Sequence, residues 1–222
     1  MFLDPKNTAV CRATGVTVPR RFRWLAAPAA GLLIACLVAG VTPGTASATS
    51  SGKLSVSPSS GSLVSLASTR LSSRTVVNLK VPTSLPFYSA IQLRSATAGA
   101  GYRAKAGIAA NGTVTVSLSR VKAGVETVIG TPQSTGITVR SGQTIRLQGA
   151  VAGTNPVRLY VRTWKTGTNT PRWQLATRDY TTSRITTPGK TRLWGYLPST
   201  ATATTKVAFH ANHADRQQAG SA

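Results

Sequence analysis

Two stretches of the chain alternate apolar side chains with arginines and aromatic rings. Along 157–164, Val157, Leu159 and Val161 fall on one face of an extended strand, and Arg158, Tyr160, Arg162 and Trp164 on the other. Along 192–197, Arg192, Trp194 and Tyr196 share a face opposite Leu193 and Leu197. An aromatic plate beside guanidinium donors can stack on the apolar side of a sugar ring and hydrogen-bond its hydroxyls. The same set can stack a nucleobase and hold phosphates. The competing use is packing, with rings half-buried in a sheet and arginines laid over them. Trp164 and Trp173 flank the loop 165–172, where Gly167, Asn169 and Pro171 favour a turn. They are expected to meet as a cross-strand packing pair.

Carboxylates are scarce. Beyond residue 48 only Glu126, Asp179 and Asp215 remain. Hydrolysis of a glycosidic bond ordinarily needs two carboxyl groups across the scissile bond, and calcium or magnesium sites need several carboxylate oxygens. An enzyme of ordinary type is therefore not expected. Glu126 follows the turn at Lys122, Ala123 and Gly124 and reads as a turn charge paired with a nearby arginine, not as a catalyst. His210, His213 and Asp215 have the spacing H-x-x-H-x-D, which on a turn could offer zinc three ligands. The Ala- and Gln-rich residues that follow read instead as a polar tail, and no metal is assigned. No nucleophile elbow and no phosphate-binding glycine loop occurs, so no cofactor is expected.

The segment 1–48 has the order of an export signal. Arg20, Arg21 and Arg23 form a positive cluster, an uncharged apolar run extends from Trp24 to Val41, and Ala46-Ser47-Ala48 supplies a small-residue cleavage site. The run is short for a membrane span and holds Pro28, so cleavage is expected rather than a transmembrane anchor. Leu33-Ile34-Ala35-Cys36 also fits a lipidation box, but the apolar run continues past Cys36, which suits a plain signal better. Arg20-Arg21 matches a twin-arginine signal poorly. Contact with a membrane is expected only through this segment or a lipid on Cys36.

Removing it takes away both cysteines, five of the 26 basic residues and one of the four acids. The remaining 174 residues suit one domain, without a disulfide, carrying 21 basic and three acidic residues, a net charge of +18. Such a surface attracts polyanions. The basic residues recur singly along the chain, as strand faces would place them.

Residues 49–56 are Ser-rich and read as an exposed lead-in, and 211–222 as a disordered tail. Between them, short alternating runs are broken by Gly, Pro and Asn at 62–69, 74–81, 88–96, 101–109, 113–121, 125–130, 143–151, 156–164, 172–180, 191–197 and 204–210. That spacing predicts an all-β, two-sheet antiparallel sandwich over 57–210. Around Asn111-Gly112 a three-residue turn with a glycine bulge pairs Ile108 with Val114, Ala106 with Val116 and Ala104 with Leu118, which puts all six on one face.

The series Tyr102-Arg103-Ala104-Lys105-Ala106-Gly107-Ile108 through Leu118, then Gly124–Gly130, Ser141–Leu147, the spacing Trp164…Gly167…Pro171…Trp173, and Gly195-Tyr196-Leu197 resembles the concanavalin A-like (laminin-G-like) jelly-roll modules of secreted actinobacterial proteins. The resemblance covers about 55–210. It implies a two-sheet antiparallel jelly roll in a glycan-binding, extracellular setting. Two features depart from the pattern. The aromatic-rich opening strand is missing, and Phe209 is followed by His210 and Ala211 where the family commonly carries an acidic pair. The second departure counts against calcium-mediated binding.

The residues and the resemblance together lead to a secreted, non-catalytic module that binds polysaccharide or an anionic cell-wall polymer. One sheet face would carry Arg158, Tyr160, Arg162, Trp164, Arg192, Trp194 and Tyr196. The alternatives are a structural or adhesive envelope protein held by charge alone and, less favoured, a glycan-active enzyme. Nucleic acid is not an expected partner, because export separates the chain from it.

Overall fold

The computed structural model describes residues 47–214. The expected export segment lies outside them up to Ala46, with Cys36, and so does Asp215; its last two residues, Ser47 and Ala48, open the first strand opposite Ala214 and His213. The described residues contain thirteen strands and no helix. In spatial order, β1 (Ser47–Val56), β13 (Thr205–Ala214), β3 (Ser73–Lys80), β9 (Thr144–Ala152), β10 (Val157–Lys165) and β11 (Leu175–Asp179) form a six-stranded sheet. The second, seven-stranded sheet runs β2 (Gly61–Arg70), β12 (Gly189–Tyr196), β4 (Phe87–Ser95), β5 (Gly101–Ile108), β6 (Thr113–Lys122) and β7 (Val125–Val128), with β8 (Gln133–Thr138) also pairing with β6. Every strand pairing is antiparallel. The result is the expected sandwich of the jelly-roll kind, in which strands far apart in sequence become neighbours.

The sandwich closes because each central strand turns one apolar row inward. The β5–β6 hairpin has the expected register, with Ile108, Ala106 and Ala104 opposite Val114, Val116 and Leu118, all six buried. Gly112 adopts φ +81° in its turn and lies against the Val139 carbonyl, where any Cβ would collide. From the other sheet, Leu147, Leu159, Val161 and Phe209 meet this row and its neighbours Ile91 and Leu193 in one core. The sheets approach closely at Gly149 of β9, where an added Cβ would sit 2.7 Å from Ala104 Cβ.

Two expectations at the ends are corrected. The stretch 49–56 is not an exposed lead-in but most of β1, paired residue for residue with β13, with Leu54 and Val56 buried. Its serines and glycine hide the strand, since among its described side chains only Leu54 and Val56 are buried. Likewise 211–214 continue β13 beside β3, so the tail assigned from 211 onward begins later than expected. His210 therefore sits in a strand and not on a turn.

Arg94 is a buried arginine with no carboxylate partner among the described residues. It is 1% exposed, and its guanidinium donates to the carbonyls of Leu71 (2.6 Å), Ile185 (2.7 Å) and Gly153 (2.6 Å). Burial pulls its pKa down. One side chain thereby ties together two connections between the sheets, β2–β3 and β11–β12, and the β9–β10 turn within one of them.

Candidate ligand-binding face

On the outer face of the six-stranded sheet the register lines up cross-strand rows. Asn212 of β13, Val76 of β3, Gln148 of β9 and Arg162 of β10 form one row. His210, Asn78, Arg146 and Trp164 form the next, and Arg74, Ala150 and Tyr160 the row on the other side. Period-two alternation sends the intervening residues, among them Val77, Leu147 and Val161, into the core. The face predicted for 157–164 is therefore real: Val157, Leu159 and Val161 are buried inward, and Tyr160, Arg162 and Trp164 stand on the outer side.

A loop is folded over this face and fixed to it at two points. Gln174 substitutes for a strand neighbour, accepting from the Thr163 amide at 2.8 Å and donating to the Thr163 carbonyl at 3.1 Å. Arg162 donates from Nη1 to the Pro171 carbonyl at 2.7 Å and from Nε to Gln148 Oε1 at 2.5 Å. Trp173 is thereby laid against Tyr160, ring centroids 5.4 Å apart. The Arg162 and Arg74 guanidinium groups lie 4.5 and 5.5 Å from its centroid. The expected Trp164–Trp173 pair does not form, because Arg162 reaches across and takes a place against both rings, 5.6 Å from Trp164.

Beside this clasp is a cleft of about 300 Å³ whose lining includes Asn78, Arg146, Gln148, Arg162, Trp164 and Thr170. Trp164 is 4% exposed. Four buried side-chain polar atoms lack a hydrogen-bond partner among the described residues, and three of them belong to this cleft: Asn78 Oδ1, Arg146 Nε and Trp164 Nε1. A buried polar atom left unpaired costs roughly 1–3 kcal/mol. Three at one place offer an incoming molecule two N–H donors and one carbonyl acceptor. The charged side chains among the described lining residues, Arg146 and Arg162, are both positive. Burial, and then the like charge of Arg74, lower the Arg162 pKa. No carboxylate on this face pairs with either arginine among the described residues.

The described carboxylates are engaged elsewhere. Glu126, on the outer face of the seven-stranded sheet, accepts from Arg103 (2.7 Å), Lys105 (2.6 Å) and Ser119 (2.6 Å). Burial would raise its pKa, but these hydrogen bonds and charges outweigh it and hold the carboxyl below its usual range. This is the arginine-paired role expected of it. Asp179 is buried and accepts from Tyr102 (2.9 Å), Arg120 (2.8 Å) and Thr181 (2.7 Å).

The seven predicted site residues do not share one face. Arg162, Trp164 and Tyr160 lie together, and Arg158 stands further along β10, exposed, opposite Arg178 of β11. Arg192, Trp194 and Tyr196 are on the outer side of the other sheet. There Trp194 stacks on Tyr196 (5.8 Å, 4° between planes) beneath Arg103, 4.1 Å above its ring, and Tyr196 tilts against Tyr88 at 6.1 Å. Sequence reasoning missed Asn78, Arg146, Gln148 and Arg74. Their alternation within β3 and β9 is visible, but nothing local says that these strands lie beside β10.

No family model matches the sequence, and no curated protein matches it. Among solved structures, the chain is similar to the carbohydrate-binding module CBM66 from Bacillus subtilis, at 14% identity over 67% of this chain and 78% of that one, TM-score 0.48. It is also similar to a Bacillus licheniformis β-glucanase, at 13% identity over 75% and 79%, TM-score 0.47. A third is a lichenase derived from a mouse hindgut metagenome, at 10% identity over 73% and 78%, TM-score 0.45. The described residues make up an all-β, two-sheet antiparallel sandwich of jelly-roll class, to which the chain's own strand order leads.

Proposed function

We propose that the protein is a secreted, non-catalytic module whose six-stranded sheet binds an extracellular or cell-wall polysaccharide carrying negative charge. The observation that carries this is the cleft over β3, β9 and β10, where Asn78, Arg146 and Trp164 each present an unpartnered polar atom. A sugar unit supplies what these atoms lack. A carboxylate or ring hydroxyl accepts from Arg146 Nε and Trp164 Nε1, and a neighbouring hydroxyl donates to Asn78 Oδ1. Arg146 and Arg162 line the cleft with no carboxylate partner among the described residues and favour an acidic unit over a neutral one. Glu126 and Asp179, held in ion pairs away from the cleft, leave it without a carboxyl pair for hydrolysis. Neither His210 nor the β12 aromatics line this cleft.

The test is titration of the protein with polygalacturonate, with a neutral glucan and with inorganic polyphosphate, each at low and raised salt. Binding confined to the acidic glycan and retained at raised salt supports the proposal. Equal binding to both polyanions, lost steeply with salt, would instead favour the second reading, an envelope protein held by the net charge of +18 on residues 49–222.

A further inference from the structure

The cleft has a neighbour on the same face. A hollow of about 320 Å³ is lined by Ser72, Arg74, Ala150, Ala152, Tyr160 and Trp173. Both depressions lie on the same three strands. The cleft spans 76–78, 146–148 and 162–164, and the hollow 72–74, 150–152 and 160. Their middles are four residues apart along β3 and β9, about 13 Å at the rise of a strand. Between them stands the Arg162–Trp173–Arg74 clasp, which belongs to both.

The two depressions differ in chemistry. The cleft presents unpaired N–H and carbonyl groups. In the hollow no buried polar side-chain atom lacks a partner. It exists because Ala150 and Ala152 are small where β9 otherwise carries Arg146 and Gln148, and Tyr160 and Trp173 wall it with aromatic surface. Arg74 supplies a cation at its rim. An apolar wall with one cation suits the C–H side of a sugar ring and a pendant carboxylate.

Resting on the function proposed above, we infer that the ligand is a chain of acidic sugar units laid along the strand direction, with one unit in the cleft and a later unit of the same chain in the hollow. The separation exceeds the length of one pyranose ring, so a monomer fills one depression only. Linking two occupied subsites converts the second contact into an intramolecular one and raises affinity. The module thereby reads the interior of a polymer and not an isolated sugar.

The experiment is calorimetric or NMR titration of the protein with galacturonic acid and its linear oligomers of two, three and four units. Affinity is expected to rise at least tenfold between monomer and tetramer. Ala150→Leu fills the hollow and is expected to collapse the tetramer-to-monomer ratio to within about twofold. Arg74→Gln, which removes the rim cation without adding volume, is expected to reduce the ratio by several-fold and serves if Ala150→Leu does not fold. Binding of the monomer with no gain at any length overturns the two-subsite inference and leaves the single cleft standing. A length-dependent gain that both variants retain overturns it as well. Absence of binding at every length overturns the acidic-glycan reading itself.

Discussion

The guanidinium of Arg162 lies 4.5 Å from the centroid of Trp173 while its Nη1 holds the carbonyl of Pro171 at 2.7 Å. One side chain of β10 thus fixes both the ring and the backbone of the loop that overhangs the cleft. Replacing it by lysine keeps the charge but loses the fork. Arg162→Lys is expected to weaken binding of an acidic glycan at least tenfold while lowering stability by about 1 kcal/mol. Titration calorimetry beside urea unfolding separates the two effects. Trp164 is a poorer probe, because at 4% exposure its truncation costs about 3–5 kcal/mol of folding as well.

Arg94 is expected to matter for stability alone. Arg94→Met leaves the carbonyls of Leu71, Ile185 and Gly153 without their donor. Three charge-assisted bonds lost at a buried site are expected to destabilise the fold by about 3 kcal/mol or more, read as a lower urea midpoint at unchanged slope. An unchanged midpoint would show that the three connections hold without it.

Acid should unfold the protein through Asp179 and Glu126. For Asp179, burial alone would raise the pKa. Hydrogen bonds from Thr181, Arg120 and Tyr102 outweigh it and leave the carboxyl below its ordinary value. A carboxyl depressed in the folded state contributes stability that is fully present above its unfolded pKa of about 4 and lost as pH falls through the folded value. Stability is therefore expected to be flat from neutrality down to about pH 5 and to fall below about pH 4. Asp179→Asn should destabilise the protein at pH 7, by about 3–5 kcal/mol if Arg120 is left buried and unpaired, and flatten the acid limb. Melting temperatures between pH 2 and 7 for both forms test this.

Strand β1 supplies a test of the amino-terminal edge. A chain starting at Thr49 keeps eight of its ten residues and is expected to fold. A chain starting at Ser57 loses Leu54 and Val56 from the core and uncovers the β13 edge. At about 1.5–3 kcal/mol for each side chain, it is expected to lose most of its stability or aggregate. Thermal unfolding of the two truncations decides.

Much of the fold was legible because alternation is local. The buried rows of β5, β6 and β10, the bulged turn at Gly112 and the pairing of Glu126 with an arginine follow from residues close together in the chain. Strand β1 was not legible. Among the described side chains of this Ser- and Gly-rich edge strand only Leu54 and Val56 are buried, and its partner β13 is about 150 residues away, so no local signal marks it. Strand β8 escaped for a related reason: most of its residues are exposed and impose no period.

A period of two assigns each side chain to a face of its own strand but carries no information on which sheet that strand joins. The sequence by itself therefore determined the sandwich class, the net positive charge, the scarcity of carboxylates and the placing of Arg162 and Trp164 on one strand face, and the tertiary structure decided that this face is the outer one. Only the tertiary structure decided that β10 and β12 belong to different sheets, which parts Trp164 from Trp194. It also decided that β3 and β9 lie beside β10, which brings Asn78 and Arg146 to the same cleft. Those pairings are set by which apolar rows fill the shared core, a property of all thirteen strands together.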